Sequence, residues 1–500
     1  MQTSSQQWSM LHPAMLVLEL LRQLKQTAFG LVLGGYFAIK GNMFLLVFLI
    51  VFSIVVPLLV ITLRFMSYRY ALTQGHLVIK EGILSRKERS IPATRIHNIN
   101  TTQSLIARAF GVVRVDLETA GGGQAEASLP AISIGAAEHL EAYIVANKGH
   151  VVTQPDGSET AQVPPIYQIS FKDIVVLGAT TNRMGVIFAG LYALLEFWED
   201  DMVRATQNWI STAAQITTQF SERSHLEVVF AVVVSFLVIL TLSCAISIGL
   251  ALIQFYGFQV TMPGSDIKIR TGLFTVRSLT IPAGRIQALR FVTSAIRRPF
   301  NLLQVTVCTA GHMGVQEKQQ QNQQQTDLLI PLAHQPEVNQ YVQAIWPQAQ
   351  WASLNWRKVD AYTRTRQFRW LWFGSSLIFA IAFRLQQMNL ITALVLWVIA
   401  GILSWTIAHL TYKQTAFAVD ARFVYIKTGF LGLRSWVIPL NRIQMLAVMQ
   451  SPFQRRRELA SLVLDVAGAS RQGTPVIPNI EVAKAWHLFN VFSGPKPVTT

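Results

Sequence analysis

Three arginines occupy the same place in one recurring pattern: Ile91-Pro92-Ala93-Thr94-Arg95-Ile96-His97, Ile281-Pro282-Ala283-Gly284-Arg285-Ile286-Gln287 and Ile438-Pro439-Leu440-Asn441-Arg442-Ile443-Gln444. A guanidinium offers a rigid fork of donors, which suits an anionic ligand or a structural clamp on a carboxylate or carbonyl. Recurrence in all three places, whatever the local charge, favours the structural role. Better candidates for contact with lipid headgroups or a partner are Arg297-Arg298 and Arg455-Arg456-Arg457. A basic residue near an anionic leaflet gains about 1 kcal/mol; against this stands the ordinary excess of Lys and Arg on cytoplasmic loops. Arg183, Glu196 and Arg384 lie in or beside apolar runs, where an ionisable residue marks a functional site by default. Thr180-Thr181-Asn182 can end an interfacial helix, however, which puts Arg183 and Glu196 at the two boundaries of a shorter span.

No constellation for catalysis accompanies these charges. His76, His97, His139, His312 and His334 show no metal-ligand spacing. The sequence holds no phosphate-binding loop, dinucleotide fingerprint, nucleophile elbow or zinc-protease motif. Gly121-Gly122-Gly123 follows a strand with no helix start behind it, and residues 316–325 are a low-complexity insertion. Cys244 and Cys308 read as packing residues in a reducing compartment. We therefore expect no enzyme, catalytic residue, metal or cofactor. The net charge of +16 follows membrane topology and lacks an aromatic–basic reading surface, so nucleic acid is not an expected partner.

The elements that hold these residues are themselves repeated. Counted from the leading isoleucine, a glycine lies nine residues upstream in each copy (Gly82, Gly272, Gly429). Downstream, at 13, 17 and 30 residues, come a serine (Ser104, Ser294, Ser451), an arginine (Arg108, Arg298, Arg455) and an Ala-Gly pair ending in Gly121, Gly311 and Gly468. Residues 112–119, 302–309 and 459–466 alternate as strands. Helical stretches follow at 136–146, 335–346 and 481–492. Each copy thus reads as a small barrel or sandwich plugged by a terminal helix. Copies two and three are basic, with ten Lys/Arg against five Asp/Glu over 254–360 and eleven against four over 412–500. Copy one is balanced at nine and nine over 65–170, so the three copies are not expected to share one binding surface.

The I-P-x-x-R-I-(H/Q) element, the Phe110-Gly111 pair and the apolar hairpins before each copy resemble the YdbS/YdbT group of bacterial membrane proteins with bacterial PH-like domains. The resemblance covers most of the chain and implies a seven-stranded, partly open barrel capped by a C-terminal helix. It also implies a smaller single-module relative as a candidate partner. Copy two carries Phe300-Asn301 and copy three Arg457-Glu458 where copy one has Phe110-Gly111, which sets their surfaces apart.

Apolar residues make up 51% of the chain and charged residues only 14%, against about 25% charged in soluble proteins. Runs at 43–63, 226–253, 370–383 with flanks and 390–410 are long enough to span a bilayer, with weaker ones at 27–39 and 174–198. The loop 199–225 is net acidic, whereas Arg364, Arg366, Arg369 and Arg455–Arg457 lie on the other side. Termini and modules are therefore expected in the cytoplasm of a bacterium. The expected fold is an α+β membrane protein, with six transmembrane helices in three hairpins and three cytoplasmic PH-like barrels. The boundaries are an interfacial segment 1–26, hairpins at 27–65, 173–255 and 369–411, modules at 66–150, 256–347 and 412–495, and linkers at 151–172 and 348–368. The expected function is a scaffold in the cytoplasmic membrane that binds protein partners or lipid headgroups. The alternative is a lipid-handling or transport protein whose helices form a path gated by the modules. The oligomeric state is not fixed by the sequence.

Overall fold

The computed structural model describes residues 8–23, 43–83, 85–119, 126–147, 164–181, 225–264, 266–309, 328–384, 390–430, 432–469 and 473–494. The expected span 27–39, most of 174–198 with Arg183 and Glu196, the loop 199–225, Gly121, Gly311 and the insertion 316–325 lie outside the described residues. Two compact units result, one of residues 1–167, 260–270 and 275–500, the other of 168–259 and 271–274.

Every module has the same order of strands and long helices, with a short helix after the fifth strand in modules one and three and a 3-10 turn at Arg298–Phe300 in module two. The first runs β1 (Ser9–Met10), α1 (14–23), α2 (Met43–Ser67), β2 (Arg69–Thr73), β3 (His76–Glu81), β4 (Lys87–Pro92), β5 (Ile96–Gln103), α3 (Leu105–Ala109), β6 (Val112–Thr119), β7 (Ala127–Ser133) and α4 (Ile134–Asn147). The second has β8 (Tyr167–Gln168), α5 (Phe171–Thr180), α6 (His225–Phe255), β9 (Gln259–Thr261), β10 (Asp266–Thr271), β11 (Val276–Pro282), β12 (Ile286–Ser294), β13 (Leu302–Thr309), β14 (Leu328–His334) and α7 (Val338–Ile345). The third has β15 (Arg357–Lys358), α8 (Tyr362–Arg384), α9 (Leu390–Gln414), β16 (Ala416–Val419), β17 (Phe423–Thr428), β18 (Gly432–Pro439), β19 (Ile443–Met449), α10 (Pro452–Arg455), β20 (Leu459–Val466), β21 (Val476–Glu481) and α11 (Val482–Ser493).

The apolar helices thus sit between the first and second strands of each module, not ahead of it. Residues placed in the interfacial segment and linkers belong to the modules instead. Leu11, Ala14 and Met15 are buried in the core of module one, and β1 pairs with β2. The helix entries are capped alike: His12 accepts from the Ala14 N–H, Ser170 forms a capping box with Asp173, and Asp360 accepts from the Tyr362 N–H at 2.7 Å.

The I-P-x-x-R-I element is a corner. Its proline precedes a single 3-10 turn that ends on the arginine and leads straight into the next strand. The isoleucines on either side are buried in all three copies, so burial of two β-branched anchors fixes the bend. Ser104 and Ser451 cap the short helices after β5 and β19, accepting from Ala107 and Gln454 N–H groups. Gly82, Gly272 and Gly429 all have positive φ, and a Cβ on Gly82 or Gly429 would strike the carbonyl oxygen three residues on. Gly111, Asn301 and Glu458 all adopt the left-handed conformation, at φ 63°, 54° and 52°. The substitutions in copies two and three therefore change the side chain without changing the backbone.

Whether the modules pack together, which the sequence left open, is answered by the strand pairing. The last three strands of one module join the first four of the next. This gives antiparallel seven-stranded sheets in the orders β7-β6-β5-β11-β10-β9-β8 and β14-β13-β12-β18-β17-β16-β15. The two junctions share one register: Thr101 faces Ser278, and the equivalent Phe291 faces Ser435. Across the second junction, Ala288 and Cys308 of module two belong to the core of module three. The segment expected as linker 348–368 is packed there, with Trp351 against Phe291, Trp356 and Tyr425. Lys427 lies 3.8 Å from the Trp356 ring, and burial lowers its pKa from the ordinary lysine value.

The terminal helices bury one stripe each, such as Ala485, Leu488 and Phe492 of α11. Of the described helices, α9 is the one long and apolar enough, by length and composition, to cross a membrane; residues 55–67 and 240–255 are shorter apolar helices. In the second unit, α5 and α6 pack closely: the Ser247 hydroxyl donates to the Gly178 carbonyl at 2.7 Å, and Gly178 leaves no room for a Cβ against Ile248.

Candidate membrane-facing surface

The turn after the fifth strand of each module has a common design. Ile106, Ile296 and Phe453 hold the same position, because the copies are offset by 190 and 347 residues. All three are exposed, at 40%, 55% and 59%. Two residues later come Arg108, Arg298 and Arg455. An exposed apolar side chain beside a basic one is the chemistry of a bilayer interface, where the apolar group enters the acyl boundary and the cation meets phosphate.

The basic residues singled out from the sequence differ in exposure and in what they touch. Arg455, Arg456 and Arg457 are all exposed. Arg457 lies over the Tyr362 ring at 5.0 Å, and Arg298 over the Phe430 ring at 4.9 Å. Arg297 is only 7% exposed, and burial lowers its pKa. Its equivalents are Ala107 and Gln454, both buried, so this is an interior position of the turn. Arg95 is exposed, while Arg285 and Arg442 are half-buried at the ends of their corners. Arg285 lines a small cavity with Asn98 and Glu118 of module one. Arg384 ends α8.

In module three the turn lies against the start of α8. Tyr362, Arg366, Arg369, Trp370, Phe373 and Phe453 line a cleft of about 790 Å³, which Trp372, Ser376 and Trp397 extend between α8 and α9. Arg369 donates to the Tyr362 hydroxyl at 2.8 Å and lies over the Phe453 ring at 5.4 Å. The Trp372 and Trp397 rings lie 4.9 Å apart, and the Trp397 indole donates to Ser376 at 2.7 Å. One end of the cleft is therefore cationic and the rest aromatic.

A buried polar network holds this geometry. The Gln454 amide donates to Ser461 at 2.9 Å and to Asn479 at 2.7 Å, while its oxygen accepts from the Ser451 N–H. Asn479 donates to the Thr363 hydroxyl at 2.9 Å, and its carbonyl accepts from the Asp360 N–H at 2.9 Å. The α8 entry is thereby fastened to the core of module three. Sequence reasoning treated Arg366 and Arg369 only as topology charges and passed over Ile106, Ile296 and Phe453. The signal was present at fifteen residues past each leading isoleucine, between the recurring serine and arginine.

The model of the bacterial PH domain family matches residues 21–148, 212–357 and 376–493. Over 97% of its length the chain is 23% identical to the UPF0699 transmembrane protein YdbT of Bacillus subtilis (strain 168), of which it covers 98%. No solved structure matches significantly. Three matches spanning most of the chain, on three modules that repeat the same corner, turn and terminal helix, make this protein a member of the bacterial PH domain family.

Proposed function

We propose that the protein is a non-enzymatic scaffold of the bacterial cytoplasmic membrane. In this reading six helices in three hairpins anchor it, the termini and modules face the cytoplasm, and the modules bind lipid headgroups and a protein partner. The observation that carries the reading is the recurrence of an exposed apolar residue and an arginine at one position of three modules: Ile106 with Arg108, Ile296 with Arg298, Phe453 with Arg455. A transmembrane relative of matching length and the apolar α9 support the location. The modules lie on one chain beside one surface, so weak contacts act together.

The test is lipid analysis of the full-length protein excised in native polymer nanodiscs. The triple variant Ile106→Asp/Ile296→Asp/Phe453→Asp is expected to lose most of its enrichment in anionic phospholipid while keeping its thermal stability. Unchanged enrichment in that variant rejects the surface.

A further inference from the structure

We infer that the free edge of β19 is a docking site for the third strand of a like module on a different polypeptide. The inference deepens, and rests on, the scaffold reading. Strands β5, β12 and β19 are equivalent, and the first two are each paired on their outer edge by the next module, by β11 and β18. β19 is bounded by β20 alone among the described strands. What is buried at one junction is open at the other: Ala288 and Leu289 are wholly buried, whereas the equivalent Met445 is 57% exposed and Leu446 is half-exposed. Met449, at 59% exposed, ends the strand. Met445-Leu446-Ala447-Val448-Met449 is thus an uninterrupted apolar edge with unused ladder groups, the kind that pairs with another strand unless it is guarded.

The shared register of the internal junctions fixes how a partner would sit. The residue three places before the isoleucine of its corner would face Val448, as Ser278 faces Thr101 and Ser435 faces Phe291. The same comparison argues against a second copy of this chain as occupant. Its own third strand, β4, is paired by β3 on one edge and by no described strand on the other, and carries Glu88 and Arg89 where the joined strands carry Ser278 and Leu279, or Ser435 and Trp436. Glu88 and Arg89 are exposed and held in ion pairs with Lys80 at 3.3 Å and Glu81 at 3.6 Å. Charges of this kind guard an edge.

The experiment places a photo-crosslinking amino acid at Met449, and separately at Arg456, in the full-length protein in its native membrane, with adducts identified by peptide mass spectrometry. The expected result at Met449 is an adduct to another polypeptide, within the six residues that precede an Ile-Pro-x-x-Arg-Ile-type corner. Met445→Glu, at a position 57% exposed, should reduce that adduct at least tenfold without changing thermal stability. An adduct to residues 87–92 of a second copy, to lipid alone, or no adduct at Met449 overturns the proposal. Protein adducts at Arg456 without any at Met449 reject the edge while keeping the scaffold reading; none at either position rejects both.

Discussion

Asn479 shows how much rests on single polar side chains in the third module. It is buried with φ 49° and joins Gln454 to Thr363. Asn479→Ala removes the hydrogen bonds to Gln454 and Thr363 at a buried site, at about 1–1.5 kcal/mol each. We expect the variant to lose roughly 3 kcal/mol of stability by thermal unfolding, and to loosen the α8 entry enough to raise amide exchange at residues 362–364. Gly468 is a second such point. At φ 80° its Cα lies so close to module two that an added Cβ would come within 2.6 Å of the Thr309 carbonyl oxygen. Gly468→Ala should cost roughly 2 kcal/mol through backbone strain and the clash, while alanine at Gly284, which has open space around it, should cost little by the same measurement. The Ala-Gly pair was legible in the sequence as the end of a strand. That the glycine also serves a contact between modules was not, because the atom it makes room for lies in another copy.

Among the elements, α8 carries the clearest functional expectation. Its first turns hold Arg366 and Arg369 at the mouth of an aromatic cleft. At about 1 kcal/mol for each basic residue near an anionic surface, Arg366→Gln/Arg369→Gln should weaken retention of anionic phospholipid by ten- to thirtyfold. Raising the salt concentration should narrow the difference between variant and parent, because exposed charges are screened. Lipid mass spectrometry across a salt series checks both statements. Strands at 112–119, 302–309 and 459–466 and the terminal helices follow from alternation and helical periodicity, which are local properties, and they stand where the pattern puts them. The first strands were missed because Ser9–Met10, Tyr167–Gln168 and Arg357–Lys358 are two residues long and too short to show a period.

For the molecule as a whole, a sheet that crosses a module boundary ties the stability of its two parts together. Trp436 is buried at the second junction, opposite Arg290 on β12. Trp436→Ala should cost about 3–5 kcal/mol, and hydrogen exchange should show protection falling in β12 as well as in β18. If the modules were independent barrels, the loss would stay within module three. Tertiary coupling of this kind also makes one unfolding transition the expectation for modules two and three in calorimetry.

The sequence alone determined that the chain has three copies of one module, where the corners and main strands fall, and that apolar helices accompany each copy. Burial, chain reversal and period leave their mark on neighbouring residues, and a threefold repeat reinforces that mark. The tertiary structure alone decided that the modules share sheets, that a first strand precedes each pair of helices, that Arg297 is interior, and that β19 is paired by β20 alone among the described strands. The physical reason is that strand pairing runs through backbone N–H and C=O groups, which are the same in every residue. An edge strand and a central strand can therefore carry the same alternation, and only the packing of one module on the next says which is which.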